Sequence, residues 1–253
     1  MRIGILNDMS AGPPALGGVE AWLNLAAEDL IASGRLDRGI EIINGWGLGL
    51  PAGTAAAVEH AYRALAEQDV LLIIGPAIGD NALVATPLAE ACKIPTLNWA
   101  GAERARSPYM FHLQVGSHED ESIILARHMR ALGATRVAVA YDRSPIGRRH
   151  LHFLQLEADI IGLHICATAT LSPLAEQAQA ETAQLLDAKP DAIIYLGLGI
   201  AAPAVASALT AAGYPGPRAM NTAGIRGYAA DFARAIDGWI YVDMHADDNR
   251  TLN

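Results

Sequence analysis

"DVLLIIGPAIGDNALVATPLAEACKIPTLNW", residues 69–99, is the stretch whose reading decides the fold. Val70 to Ile74 form an apolar run too short for a core helix, the profile of a strand covered on both faces. Gly75 and Pro76 break the run, and Leu83, Val84 and Leu88 then recur at helical spacing. Pro95 marks the end of that helix, and another short strand is expected over 96–98. Strand, turn, helix and strand in succession make a crossover unit, which parallel neighbours require. Asp80 sits where the helix begins, and free N–H groups there favour an anion. The acid is expected near the N-cap, satisfying those donors itself and presenting negative charge to a ligand.

The same rhythm extends in both directions. Further strands are predicted over 3–6, 40–43 and 71–74, with helices over 19–33, 54–68 and 81–91. A second series follows, with strands over 137–141, 163–168, 192–195, 218–220 and 239–242. Its helices are expected over 119–132, 147–159, 174–187, 201–212 and 227–235. Gly34, Gly133 and Gly213 stand just past three of the predicted helices, as helix-ending glycines do. This alternation implies α/β architecture: two doubly wound parallel-sheet lobes, one over 1–116 and one over 117–253. The boundary falls near 115–117, inside "PYMFHLQVGSHED" (108–120). One Rossmann-like sheet carrying every strand is the alternative. The lobes share a pattern but no obvious residue-level repeat.

Composition narrows the function. The chain of 253 residues is 52% hydrophobic and 18% charged, enough apolar content for substantial cores. Its formal net charge of −9 argues against nucleic acid as a partner, since phosphate binding needs clustered Lys and Arg. Arg143, Arg148 and Arg149 form the best basic cluster and read as a solvated face. Two cysteines, Cys92 and Cys166, give no disulfide framework. No run of about eighteen apolar residues is free of breakers, so no membrane insertion is expected. No basic leader with an apolar stretch precedes "RIGILN" (2–7). A cytosolic protein, or one whose leader has been removed, are the two readings of that start.

Motifs for chemistry are sparse. "DAIIYLGLGIAAPAVASALTAAG" (191–213) places Gly197, Gly199 and Ala202 in near-dinucleotide spacing between a strand and a helix. The acid that would grip a ribose is missing, because the next strand ends at Asn221 and Thr222. A plain strand-to-helix turn is the favoured reading, with an NAD(P)-dependent enzyme kept as an alternative. "GWGLGLPAG" (45–53) fails phosphate-loop spacing at Leu50 and lacks Walker residues. His150 and His152 are two apart, on different faces of a helix, so they make no metal pair. His112 and His118 flank the lobe boundary, where a surface or hydrogen-bonding role is expected. No nucleophile elbow or reactive cysteine signature is present. Catalytic residues, metals and cofactors are therefore expected to be none.

Three segments carry a family resemblance. Residues 69–102 are similar to the first-lobe core of type I periplasmic binding proteins, in the leucine/isoleucine/valine-type branch that serves ABC transporters. "RIGILNDMSAG" (2–12) resembles the start of such a receptor. Residues 107–165, with Tyr141, Asp142 and Gly147, resemble the crossover and the opening of the second lobe. The resemblance spans residues 2 to about 242. It implies a small-molecule ligand in a cleft between closing lobes, an ABC transporter permease as partner, no enzymatic activity and a periplasmic location. A cytosolic sensor or regulator on the same fold is the alternative it leaves.

Ligands of open α/β sheets bind beyond the carboxyl ends of the strands. The implied ligand residues are Ile78, Gly79, Asp80, Asn98, Trp99, Ala100 and Ala102 in the first lobe. In the second they are Ser144, Ile146, Gly197, Asn221 and Ala223. Receptors of this branch for amino acids carry hydroxyls where this chain has Gly79-Asp80 and 100–102. They carry a tyrosine and a glutamate where it has Ile146 and Ala223. A small polar or aromatic-bearing metabolite is thus implied rather than a plain branched-chain amino acid. Only "DMHADDNRTLN" follows residue 242, where relatives return to the first lobe. The resemblance therefore implies a fragment or an unusually short relative, with the first lobe incomplete without that return.

Overall fold

Short apolar runs become parallel strands here because each can be covered from both sides, as β6 illustrates. In this strand (Arg136–Asp142), Val137 and Val139 join one apolar cluster while Ala138 and Ala140 join another. The computed structural model describes residues 1–8, 19–46, 54–113, 116–221 and 230–242. The chain divides into two compact units, Met1–Gln114 and Val115–Asn253.

The first unit holds β1 (Arg2–Leu6), β2 (Glu41–Gly45), β3 (Leu72–Ile74), β4 (Thr96–Asn98) and β5 (Met110–His112). They pair in parallel in the order β2-β1-β3-β4-β5. Helices α1 (Val19–Ala32), α2 (Ala55–Ala66) and α3 (Gly79–Cys92) make the crossovers. Val58, Tyr62 and Leu65 of α2 meet Ile73 of β3 and Ala85 and Leu88 of α3 in the core. The Tyr62 hydroxyl donates to Thr96 Oγ1 at 2.7 Å, and burial pushes its pKa up to about 12.

The second unit adds β7 (His164–Leu171), β8 (Ala192–Leu196), β9 (Arg218–Met220) and β10 (Ile240–Tyr241) in the order β10-β9-β8-β6-β7. Its helices are α4 (His118–Ala131), α5 (Pro145–Ile161), α6 (Gln179–Asp187), α7 (Ala202–Ala211) and α8 (Ala230–Ala235). Leu125, Met129 and Leu154 cover one face of the sheet, and Leu185, Val205 and Leu209 cover the other. Read from β7, this sheet has the same strand order as the first. The two-lobe reading therefore holds, and the single-sheet alternative does not.

Local chemistry sets most boundaries. Ser144 caps α5 by accepting from Gly147 N at 2.9 Å, and Pro145 opens the helix, two residues ahead of the expected start at 147. Helix α6 begins at Gln179 rather than 174, because Ser172 O accepts from Ala175 N in a turn first. Strand β5 was not among the expected strands. It is three residues long with Phe111 half exposed, and only its pairing with Thr96, Leu97 and Asn98 makes it a strand. The helix predicted over 227–235 is described from Ala230 onward.

Candidate functional site

Both lobes solve the same local problem at the carboxyl ends of their strands. A strand-to-helix turn leaves backbone N–H groups without partners, and these must be satisfied. In the first lobe Asp8, just past β1, accepts from Ala77 N at 2.9 Å and Ile78 N at 2.8 Å. Asn81 Nδ2 donates to the same carboxylate at 3.0 Å. Asp8 is almost wholly buried, and burial pushes its carboxyl upward while these three donors pull it down.

Asp142, at the end of β6, does the same in the second lobe. It accepts from Leu198 N at 2.7 Å in the β8–α7 turn and from Ser144 N at 3.1 Å. The Ser144 and Tyr195 hydroxyls also donate to it. Burial, then the Asp142 charge, raises the Tyr195 phenol. Two glycines give the carboxylate room: a Cβ on Gly197 would overlap it, and one on Gly147 would stand 2.6 Å from Oδ1. In topology Asp8 and Asp142 are counterparts, each at the tip of its lobe's first strand and each bound to the turn after the third.

Asparagines mark the tips of the fourth strands. Asn98 donates through Nδ2 to Ala105 O at 2.9 Å and accepts from Ala100 N at 3.1 Å. Asn221 accepts from Gly197 N at 2.9 Å and donates to Gly197 O at 3.0 Å. Both are fully buried. Their amides hold the loops at the strand tips in place.

The remaining sequence-predicted residues fall as follows. Ile78, Gly79, Ala100 and Ala102 are buried around the β3 and β4 tips, with Asp80 and Trp99 half-buried beside them. Ser144, Ile146 and Gly197 are buried at the β6 and β8 tips. Ala223 lies outside the described residues. One expectation needs correction: the N-cap of α3 is Ile78, which makes no side-chain cap bond, and Asp80 lies within the first turn. Ala77 and Ile78 donate to Asp8 instead, an acid from another strand. Its signal was in the sequence, since "GILND" and "VAYD" each end an apolar strand on aspartate.

The rings of His118 on α4 and His150 on α5 lie with centroids 4.6 Å apart, tilted by 39°. His150 Nδ1 faces Ile146 O at 2.9 Å, and Nε2 faces Glu121 Oε2 at 2.9 Å. Arg149 donates to His118 Nδ1 at 3.2 Å. Burial, then the neighbouring His150 and Arg149, pushes His118 down to about 2. No group of three metal-ligating side chains occurs among the described residues.

This doubled architecture is that of known proteins. The family model described as periplasmic binding protein matches residues 1–247. The chain belongs to that family. Among solved structures, the periplasmic binding protein type 1 from Bordetella pertussis Tohama I superposes with a TM-score of 0.79 at 20% identity. That match covers 95% of this chain and 67% of the other. The leucine binding protein LivK from Thermotoga maritima MSB8 gives 0.76 at 16% identity, covering 97% and 70%. An ABC transporter solute binding protein from Rhodopseudomonas palustris, in complex with 4-hydroxybenzoate, gives 0.71 at 17%, covering 89% and 62%. The chain thus spans between 62% and 70% of these three structures. No curated protein matches the sequence. The two parallel-sheet lobes are the type I periplasmic binding protein fold. Among the described residues, no helix is long and apolar enough to cross a membrane.

Proposed function

We propose that this periplasmic binding protein is a solute receptor that delivers a small polar or aromatic-bearing metabolite to an ABC transporter permease. The observation that carries the reading is the doubled strand-tip architecture. Each lobe locks the turn after its third strand with a buried carboxylate, Asp8 or Asp142, so both turns are held ready before ligand arrives. A preformed edge of this kind needs no activated nucleophile. It needs only a ligand that binds the closed arrangement more tightly than the open one.

Asp80 and Trp99 are assigned the direct side-chain contacts, because they are only half-buried at the first-lobe tips, although Asp80 Oδ1 itself is buried, while the residues beside them in the chain are buried. Trp99 offers an aromatic face, and Asp80 offers an acceptor to a donor group. Ile78, Gly79, Ala100, Ala102, Ser144, Ile146 and Gly197 contribute lining, the N–H groups of Ile78, Ala100 and Gly197 being already bonded within the protein. The negative charge of Asp80 disfavours a ligand carboxylate at that turn, and hence a plain branched-chain amino acid. The proposed compartment is the periplasm.

Calorimetry after native mass spectrometry against a metabolite library tests the reading. The expected result is a one-to-one ligand whose affinity falls about tenfold or more in Trp99→Ala. Absence of any ligand, in a chain that melts cooperatively, overturns it.

A further inference from the structure

His150 is a fully buried histidine whose two ring nitrogens both face oxygen. Nδ1 stands 2.9 Å from the Ile146 carbonyl, and Nε2 stands 2.9 Å from Glu121 Oε2 on α4. A neutral imidazole has one N–H and one bare lone pair, whereas a carbonyl and a carboxylate are both acceptors. The two contacts are hydrogen bonds together only if the ring donates from both nitrogens.

The surroundings place the charge on this ring rather than on its neighbour. Arg149 of α5 donates to His118 Nδ1 at 3.2 Å, so His118 takes its proton on Nε2 and stays neutral. Burial, then the neighbouring His150 and Arg149, act against a charge on His118 in the same direction. Glu121, whose side chain is 12% exposed, closes an ion pair between the first turn of α4 and the second of α5. A second pair between these helices, Arg127 with Glu157, lies farther along both. Ser122 shows how closely the backbones approach: its buried hydroxyl lies 2.8 Å from His118 O and 3.0 Å from His150 O.

Ile146 sits in the first turn of α5, which Ser144 caps at Gly147 N and which packs on Asp142. We infer that His150 is a buried imidazolium paired with Glu121, and that this pair is the positioning group holding the Ile146 turn against α4. Its bearing on a ligand rests on the receptor reading, in which Ile146 lines the second-lobe edge; the charge state does not. A pair at this depth needs both partners, because either one alone would be a buried charge without compensation.

Side-chain 15N NMR of the labelled chain at neutral pH, without ligand, tests this. Both His150 nitrogens are expected in the protonated range, and His118 is expected as a neutral ring protonated on Nε2. Glu121→Gln is expected to return His150 to a neutral ring and to shift the Ile146 carbonyl and Gly147 amide signals. Arg127→Ala breaks the other ion pair, and it is expected to leave the His150 nitrogens unchanged. A bare nitrogen on His150 in the parent chain overturns the inference, even if Glu121 proves to hold the proton. So does a ring that keeps both protons in Glu121→Gln, one that loses a proton in Arg127→Ala as well, or an Ile146 carbonyl unmoved in Glu121→Gln. The parent spectrum decides the charge state whether or not the variants fold. None of these measurements uses a ligand, so a failure here leaves the receptor reading to its own calorimetric test.

Discussion

Asp142 and Gly197 share one volume: the Asp142 carboxylate lies where a Cβ on Gly197 would have to stand. The strand-to-helix turn of the second lobe is therefore built around a buried acid, and glycine is needed there for space. Gly197→Ala is expected to destabilise the protein by roughly 3 kcal/mol in urea unfolding, the upper range for overpacking. Removing the obstacle should remove the penalty. Gly197→Ala introduced beside Asp142→Ala is expected to cost much less than it does alone, a coupling that a double-mutant cycle reads directly.

Asp8 makes the matching prediction in the first lobe. Asp8→Ala strands the Ala77 and Ile78 N–H groups, and each buried orphan costs about 1–3 kcal/mol. Asp8→Asn keeps an acceptor, so its loss is expected to be smaller. Equal unfolding midpoints for the two variants would show that the carboxylate geometry is not what holds the turn.

His118 gives the acid limb of stability. Its folded pKa is depressed to about 2, so the folded ring stays neutral while the unfolded one takes a proton below its usual 6.5. Its contribution is present above pH 6.5 and is lost as pH falls, by about 1.4 kcal/mol per pH unit. Asp8 acts in the opposite sense, since its raised carboxyl favours folding below pH 3.8 and loses that benefit as pH rises through the folded value. His118→Gln keeps an acceptor for Arg149 and does not titrate. It is expected to show a flatter fall of unfolding free energy between pH 6.5 and pH 5 than the parent chain, roughly 2 kcal/mol less.

Tyr62 tests a single buried hydrogen bond. Its hydroxyl donates to Thr96 Oγ1, whose own proton goes to Ile94 O at 3.1 Å. Tyr62→Phe keeps the ring in the first-lobe core and removes one bond. A loss of about 1 kcal/mol is expected by thermal or urea unfolding. No loss at all would mean that water serves Thr96 equally well.

Much of the fold was legible because its signals are local. The apolar run at Val70 to Ile74 and the glycines after α4 and α7 act within about four residues of themselves. Strand β5 was not legible, because Met110 to His112 carry no alternation of their own and become a strand only beside β4. The site divides the same way. That the strand tips would carry it follows from the α/β pattern. That the Asn98 and Asn221 amides are spent on Ala105 and Gly197 does not, because those partners are set by how loops return.

The sequence by itself determined the alternation of strand and helix, the two series and the family resemblance. Hydrophobic period and capping chemistry are properties of neighbouring residues, and they need no fold to be read. Only the tertiary structure decided which acid holds the turn at Gly75 to Asp80. The nearest acid in the chain is Asp80, but the one bonded to Ala77 and Ile78 is Asp8, 69 and 70 residues away. Parallel pairing of β1 with β3 brings that carboxylate to the turn. A contact over such a separation exists only once the sheet has formed.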